Sequence, residues 1–109
     1  MKINFEDGVL YEGDIRRGGK DDLFMIEGKG RMQFKDGSLY EGDFERGFMQ
    51  GQGKYYWGNC THWFEGGYQQ NLKHGEGVYH YDNKQMRGEW VYGELKKNLS
   101  LIKFEATKL

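Results

Sequence analysis

An all-β fold, laid out as one open antiparallel meander of tandem β-hairpins, is predicted by three features of the sequence. Aromatic residues make up 17% of the 109 residues, beside eighteen glycines and no proline, a mix that suits short strands, wide rings and glycine turns rather than a disordered chain. Three short phrases recur in a fixed order. Around them, large apolar residues alternate with polar ones at a period of two, as in a strand with one buried face.

The first phrase is Tyr11-Glu12-Gly13-Asp14-Ile15, repeated as Tyr40-Glu41-Gly42-Asp43-Phe44. It loosens to Phe64-Glu65-Gly66-Gly67-Tyr68 and wears to Met86-Arg87-Gly88-Glu89-Trp90. The second is Gly28-Lys29-Gly30-Arg31-Met32, then Gly51-Gln52-Gly53-Lys54-Tyr55, then Gly75-Glu76-Gly77-Val78-Tyr79; the second glycines at 30, 53 and 77 are 23 and 24 residues apart. The third is a turn pair: Asp7-Gly8, Asp36-Gly37, Gly58-Asn59 and Asp82-Asn83. Asp-Gly pairs favour left-handed backbone and are a strong hairpin signal. About three and a half to four repeats in eight or nine strands follow. Strands are expected near residues 2–6, 9–15, 29–35, 38–45, 52–57, 62–68, 76–81 and 84–91.

The alternation sorts side chains into two faces. Met32 and Phe34, Tyr55 and Trp57, Tyr79 and Tyr81 share one face with Tyr11, Ile15, Tyr40, Phe44, Phe64, Tyr68, Met86 and Trp90. The other face carries Glu12, Asp14, Arg31, Glu41, Asp43, Lys54, Glu65, Arg87 and Glu89, a solvated surface on which acids can face Arg31 and Lys54 across strands. Gly13, Gly42, Gly66 and Gly88 sit between large residues of one face, which leaves room for rings from neighbouring strands to lie across the backbone.

Length suits one domain, expected over residues 1–94, with residues 95–109 as a capping strand or tail. A net charge of −1 gives no basic stripe for nucleic acid and little attraction to anionic membrane. One cysteine, Cys60, allows no intrachain disulfide framework. With neither a signal peptide nor a spanning apolar stretch, the expected location is cytoplasmic or bound to the cytoskeleton.

Tyr40-Glu41-Gly42-Asp43-Phe44, Gly51-Gln52-Gly53-Lys54-Tyr55 and Asp36-Gly37 resemble the MORN repeat (membrane occupation and recognition nexus) over roughly residues 5 to 93. Similar repeats occur beside lipid kinases, in a histone methyltransferase, in junctophilins, in ciliary and cytoskeletal proteins, and in small proteins that clasp a myosin tail. The resemblance implies a scaffold, with any chemistry in other domains. The sequence departs from the pattern in places. Gly13 to Gly28 spans 15 residues against 9 for Gly42 to Gly51, and the longer connection holds Leu23-Phe24-Met25-Ile26. Cys60-Thr61-His62-Trp63 suggests a bulge. Asn71 stands where Gly47 does, which left-handed backbone permits.

The candidate partner-binding residues are the rings Tyr40, Phe44, Tyr55, Trp57, Phe64, Tyr68, Tyr79, Tyr81 and Trp90. They read either as a core ladder or as a groove for an amphipathic helix or extended segment, and the two can coexist. Leu23, Phe24, Met25 and Ile26 read as a lid over that face or as an accessory contact. Tyr56 and Trp63 are placed on the opposite face. Cys60 and His62, with only His74 and His80 to add, do not assemble a four-ligand metal site, and the Gly-x-Gly phrases lack the following helix of a phosphate loop. No catalytic residue, metal or cofactor is expected. The reading is a non-catalytic protein–protein interaction or scaffold subunit of a cytoskeletal, ciliary or other large assembly. The alternative is a phospholipid-binding or targeting module, possible as part of a larger enzyme.

Overall fold

The computed structural model of the protein describes residues 1–18, 23–58 and 61–99. Nine strands follow one another there: β1 Lys2–Asn4, β2 Leu10–Gly18, β3 Leu23–Gln33, β4 Leu39–Glu45, β5 Phe48–Tyr56, β6 His62–Gln69, β7 Leu72–Tyr81, β8 Lys84–Val91 and β9 Glu94–Asn98. They form one sheet in sequence order, and every neighbouring pair is antiparallel. The open meander is therefore present, and Glu94–Asn98 supplies its last strand. Residues 100–109 lie outside the described residues.

The register lines up three transverse rows. The inner row is Ile3, Tyr11, Met32, Tyr40, Tyr55, Phe64, Tyr79 and Met86. The adjoining row on the outer face is Lys2, Glu12, Arg31, Glu41, Lys54 and Glu65, alternating in charge from strand to strand. Arg31 meets Glu41 at 3.3 Å and Lys54 meets Glu65 at 4.0 Å, both exposed. Such pairs contribute little to stability, but a one-residue slip would turn them toward the rings. The third row is glycine alone: Gly13, Gly30, Gly42, Gly53, Gly66, Gly77 and Gly88.

Two expectations need correction. The second strand of each hairpin starts earlier than the Gly-x-Gly phrase implies. Leu23-Phe24-Met25-Ile26 is not a lid but the start of β3, paired with Ile15, Arg16, Arg17 and Gly18 of β2. The run is simply the arm of a longer hairpin. Likewise β4 and β5 are joined only by Arg46-Gly47, β6 and β7 by Gln70-Asn71, β7 and β8 by Asp82-Asn83, and β8 and β9 by Tyr92-Gly93. Both residues of each pair have positive φ, the two-residue turn that matches strand twist. Asn71 (φ 70°) takes the place of Gly47 as expected.

Second, Asp7-Gly8 and Asp36-Gly37 are turns of another kind. Only the glycine is left-handed (φ 88° and 90°), and the aspartate caps the loop, accepting from the N–H of Val9 at 3.2 Å and Ser38 at 2.9 Å. The register breaks between Gly13 and Ile15, Gly42 and Phe44, Gly66 and Tyr68, and Glu89 and Trp90; the bulge expected at Cys60 falls on a residue outside the described ones, as does Asn59. From His62 to Gly66 β6 pairs regularly with β7, before the break at Gly66 and Tyr68. Asp14, exposed, and Asp43, half-buried, sit at two of these bulges. Their Oδ2 atoms accept from the N–H groups of Lys29 and Gln52, each at 3.0 Å.

Candidate partner-binding groove

The ring ladder is built from the glycine row. Tyr11 and Tyr40 fold back along their own strands, over Gly13 and Gly42, and reach across to Gly30 and Gly53. A Cβ at Gly30 would overlap the Tyr11 ring, one at Gly53 the Tyr40 ring, and one at Gly77 the Phe64 ring. At Gly13, Gly42 and Gly66 the nearest obstruction is instead the facing strand's backbone, with Cα atoms 2.4 to 2.6 Å from the position a Cβ would take. The Tyr11 hydroxyl donates to the Asp14 carbonyl at 2.6 Å and that of Tyr40 to the Asp43 carbonyl at 2.8 Å, so each phenol ties down the bulge three residues on.

Two courses of rings result. The lower runs Tyr11, Phe44, Tyr40, Tyr68, Phe64, Trp90, with successive centroids 5.4, 5.0, 5.2, 5.7 and 4.9 Å apart and every pair close to perpendicular. All six are buried. Edge-to-face pairs add about 0.5–1.5 kcal/mol beyond the area they bury, so this course is the core of a sheet that has no second layer among the described residues. The upper course runs Phe34, Tyr55, Trp57, Tyr79, Tyr81, with centroids 5.9, 4.9, 5.6 and 5.3 Å apart. These rings are half-buried.

Of the nine rings singled out by sequence, Tyr40, Phe44, Phe64, Tyr68 and Trp90 thus lie in the buried course, and Tyr55, Trp57, Tyr79 and Tyr81 in the half-buried one. Between them lies a groove of about 580 Å³, floored by Phe44 and Tyr68 and walled by Met32, Phe34, Met49, Tyr55, Trp57, Leu72 and Lys73. A second apolar hollow of about 500 Å³ lies toward β1, where Ile3, Phe5, Phe24, Met25 and Ile26 meet. Phe24 and Met25 are exposed there, and Phe24 carries the Arg17 guanidinium 5.3 Å from its centroid.

Lys73 is the residue that sequence reasoning missed. Its ammonium stands 5.0 Å from the Phe64 ring centroid, 5.1 Å from Trp57, 5.6 Å from Tyr79 and 5.9 Å from Trp90. Burial alone draws its pKa below the ordinary lysine value. The histidines have structural roles. His74 Nδ1 accepts from the Tyr92 N–H at 3.1 Å, His62 shares a 3.2 Å hydrogen bond with the Tyr79 hydroxyl, and His80 stacks on Trp63 at 3.5 Å. Trp63 also stacks on Tyr56, so a short second ring row lies on the outer face as expected.

The MORN-repeat family model matches residues 25–39, 40–59 and 64–86, more than half of the chain. The chain belongs to the MORN-repeat family. No curated protein matches it. The matched segments take in most of β3 to β7, the strands that hold the groove. MORN repeats form a typically non-catalytic module, and they mediate protein or membrane interactions.

Proposed function

We propose that this MORN protein is a non-catalytic adaptor that holds an amphipathic helix of a partner protein in the groove of its aromatic face. The observation behind this reading is the division of the rings into two courses. The lower course forms the buried core, whereas the upper one packs on it yet stays half exposed and leaves an apolar surface open. Tyr and Trp are frequent anchors of binding energy. The occupant is a helix because backbone groups within the sheet are already paired. An extended segment laid on the face would bury its own N–H and C=O groups without partners, whereas a helix satisfies them internally. Tyr55, Trp57, Tyr79 and Tyr81 would touch the partner, while Tyr40, Phe44, Phe64, Tyr68 and Trp90 support them from below. Phe24 and Met25 would extend the contact at the β1 end.

The setting proposed is a large cytoplasmic assembly, cytoskeletal or ciliary. The test is affinity capture from native cells with the wild type and with Trp57→Ala plus Tyr81→Ala. Loss of a stoichiometric partner, with an unchanged far-UV spectrum and a melting transition that is lowered but stays cooperative and above the assay temperature, is the expected result. A partner retained by the double variant would overturn the assignment of the groove. The membrane reading has less support, because Arg31 and Lys54 on the outer face are paired with acids. Salt-sensitive co-sedimentation of the wild type with phosphatidylserine vesicles would favour it instead.

A further inference from the structure

Lys73 occupies a register position that is apolar in the three equivalent hairpins. In β3 the same register place is Ile26, opposite Ile15; in β5 it is Met49, opposite Phe44; in β9 it is Leu95, opposite Trp90. In β7 it is Lys73, opposite Tyr68. Ile26 and Met49 pack against the ring core. A methionine at 73 would meet the same rings without taking an ammonium out of water, so lysine is the costlier choice for the folded sheet. Four aromatic faces partly compensate that cost. They supply no counter-charge, however, and among the described residues no carboxylate lies within 4.0 Å of the ammonium. The groove therefore holds a half-buried cation, fixed in place by rings, at the wall of an otherwise apolar channel.

Resting on the helix-binding reading above, we infer that Lys73 is the anion anchor of the groove, and that the partner helix carries one Asp or Glu set between apolar side chains. The carboxylate meets the Lys73 ammonium, and the apolar neighbours lie on Trp57, Tyr55 and Phe34. The ring cage orients the ammonium before binding, so little side-chain freedom is lost when the pair forms. A helix with a wholly apolar face would leave the ammonium desolvated and unpaired, and a basic residue there would be repelled. Lys73 thus selects among amphipathic helices as well as adding affinity.

The test is selection of a random-peptide phage library on the full 109-residue protein, followed by affinity measurements on the selected peptides. Peptides enriched by the wild type are expected to share an acidic residue flanked by apolar ones. Their affinity is expected to fall by at least about tenfold on Lys73→Met, and by a similar factor when the peptide acid becomes its amide. The two losses are expected not to add, as in a direct pair. Lys73→Gln serves as a second variant, so that the result does not hang on one substitution, and both variants are checked by melting. Peptides that require Trp57 but show no acidic preference, or bind Lys73→Met as tightly, would overturn the anchor and leave the groove reading intact. Peptides indifferent to both Trp57→Ala and Lys73→Met would overturn the groove itself. Vesicle binding lost on Lys73→Met, with no peptide recovered, would overturn the inference in favour of a lipid headgroup.

Discussion

Two buried phenols in adjacent positions of the same ladder have opposite stakes in their hydroxyls. Tyr40 donates to the Asp43 carbonyl, whereas the Tyr68 hydroxyl is buried with no hydrogen-bond partner among the described residues. Burial pushes both phenols up in pKa. Tyr40→Phe is expected to lower unfolding free energy by about 1 kcal/mol, the net worth of an average hydrogen bond, while Tyr68→Phe is expected to leave it unchanged or raise it. Thermal or urea denaturation checks both, and equal losses would contradict the hydrogen-bond assignment. The glycine row offers a purely steric test. Gly53 has an ordinary φ, yet a methyl group there overlaps the Tyr40 ring. Gly53→Ala is expected to cost about 1–3 kcal/mol by overpacking, measured in the same assay.

Lys73→Met is expected to raise the melting temperature, and the pH dependence of that gain has a definite sign. The folded ammonium loses its proton more readily than the unfolded one. Between the two pKa values the unfolded chain therefore binds more protons, and wild-type stability rises with pH. The advantage of methionine should narrow as pH climbs toward about 10. The raised phenols work the other way, since their stabilising contribution is lost above the unfolded tyrosine value, but they are common to both proteins and cancel in the comparison. A gap that widened with pH would contradict the burial of the ammonium.

At the scale of the element, the hairpins are stitched to one another by their turns and bulges. In three hairpins the second turn residue donates back to an earlier strand: Gly47 to Ile26 at 2.9 Å, Asn71 to Met49 at 3.1 Å, and Gly93 to Lys73 at 2.7 Å. Asp43 joins β4 to both neighbours, through an ion pair with Lys29 and the Gln52 N–H. Burial works to raise its pKa, but those two partners outweigh it and hold the carboxyl below its ordinary value. Its stabilising contribution is present above the unfolded carboxylate pKa, about 4, and is lost as pH falls through the folded one. Asp43→Asn is therefore expected to flatten the acid limb of the stability profile. A profile that kept its acid limb would place that dependence on other carboxylates. The strands and their faces were legible because alternation and turn pairs are local. The early starts of β3, β5 and β7 were not, since residues such as Phe48 and Leu72 carry no alternation of their own and are strands only because a partner is opposite.

For the whole molecule, sequential pairing makes an elongated body, 61 × 28 × 18 Å, with a radius of gyration of 16.3 Å. A compact chain of this length would have about 13 Å. Stability in such an array comes from nearest neighbours, so the ends open before the middle. Amide exchange is expected to show strongest protection in β4 to β6 and weakest in β1 and β9, each of which has a neighbour on one side only among the described strands. Uniform protection would point to a cooperative unit larger than the repeat. Lys96 and Lys97 on β9 also make that edge a poor template for another strand.

By itself the sequence determined the all-β class, the hairpin order, the two faces and the rings that share one of them, because period two and turn chemistry act over a few residues. Only the tertiary structure decided which rings are buried and which stay at the surface, and that Lys73 stands among them. That division depends on a bulge in each Tyr-x-Gly strand and on rings crossing a row of glycines contributed by seven strands, a long-range register that no single segment encodes. Lys73 had a local sign all the same: two residues before each Gly-x-Gly phrase stand Ile26, Met49 and then a lysine. Its meaning emerged only when four rings from three strands and the loop after β5 closed around it.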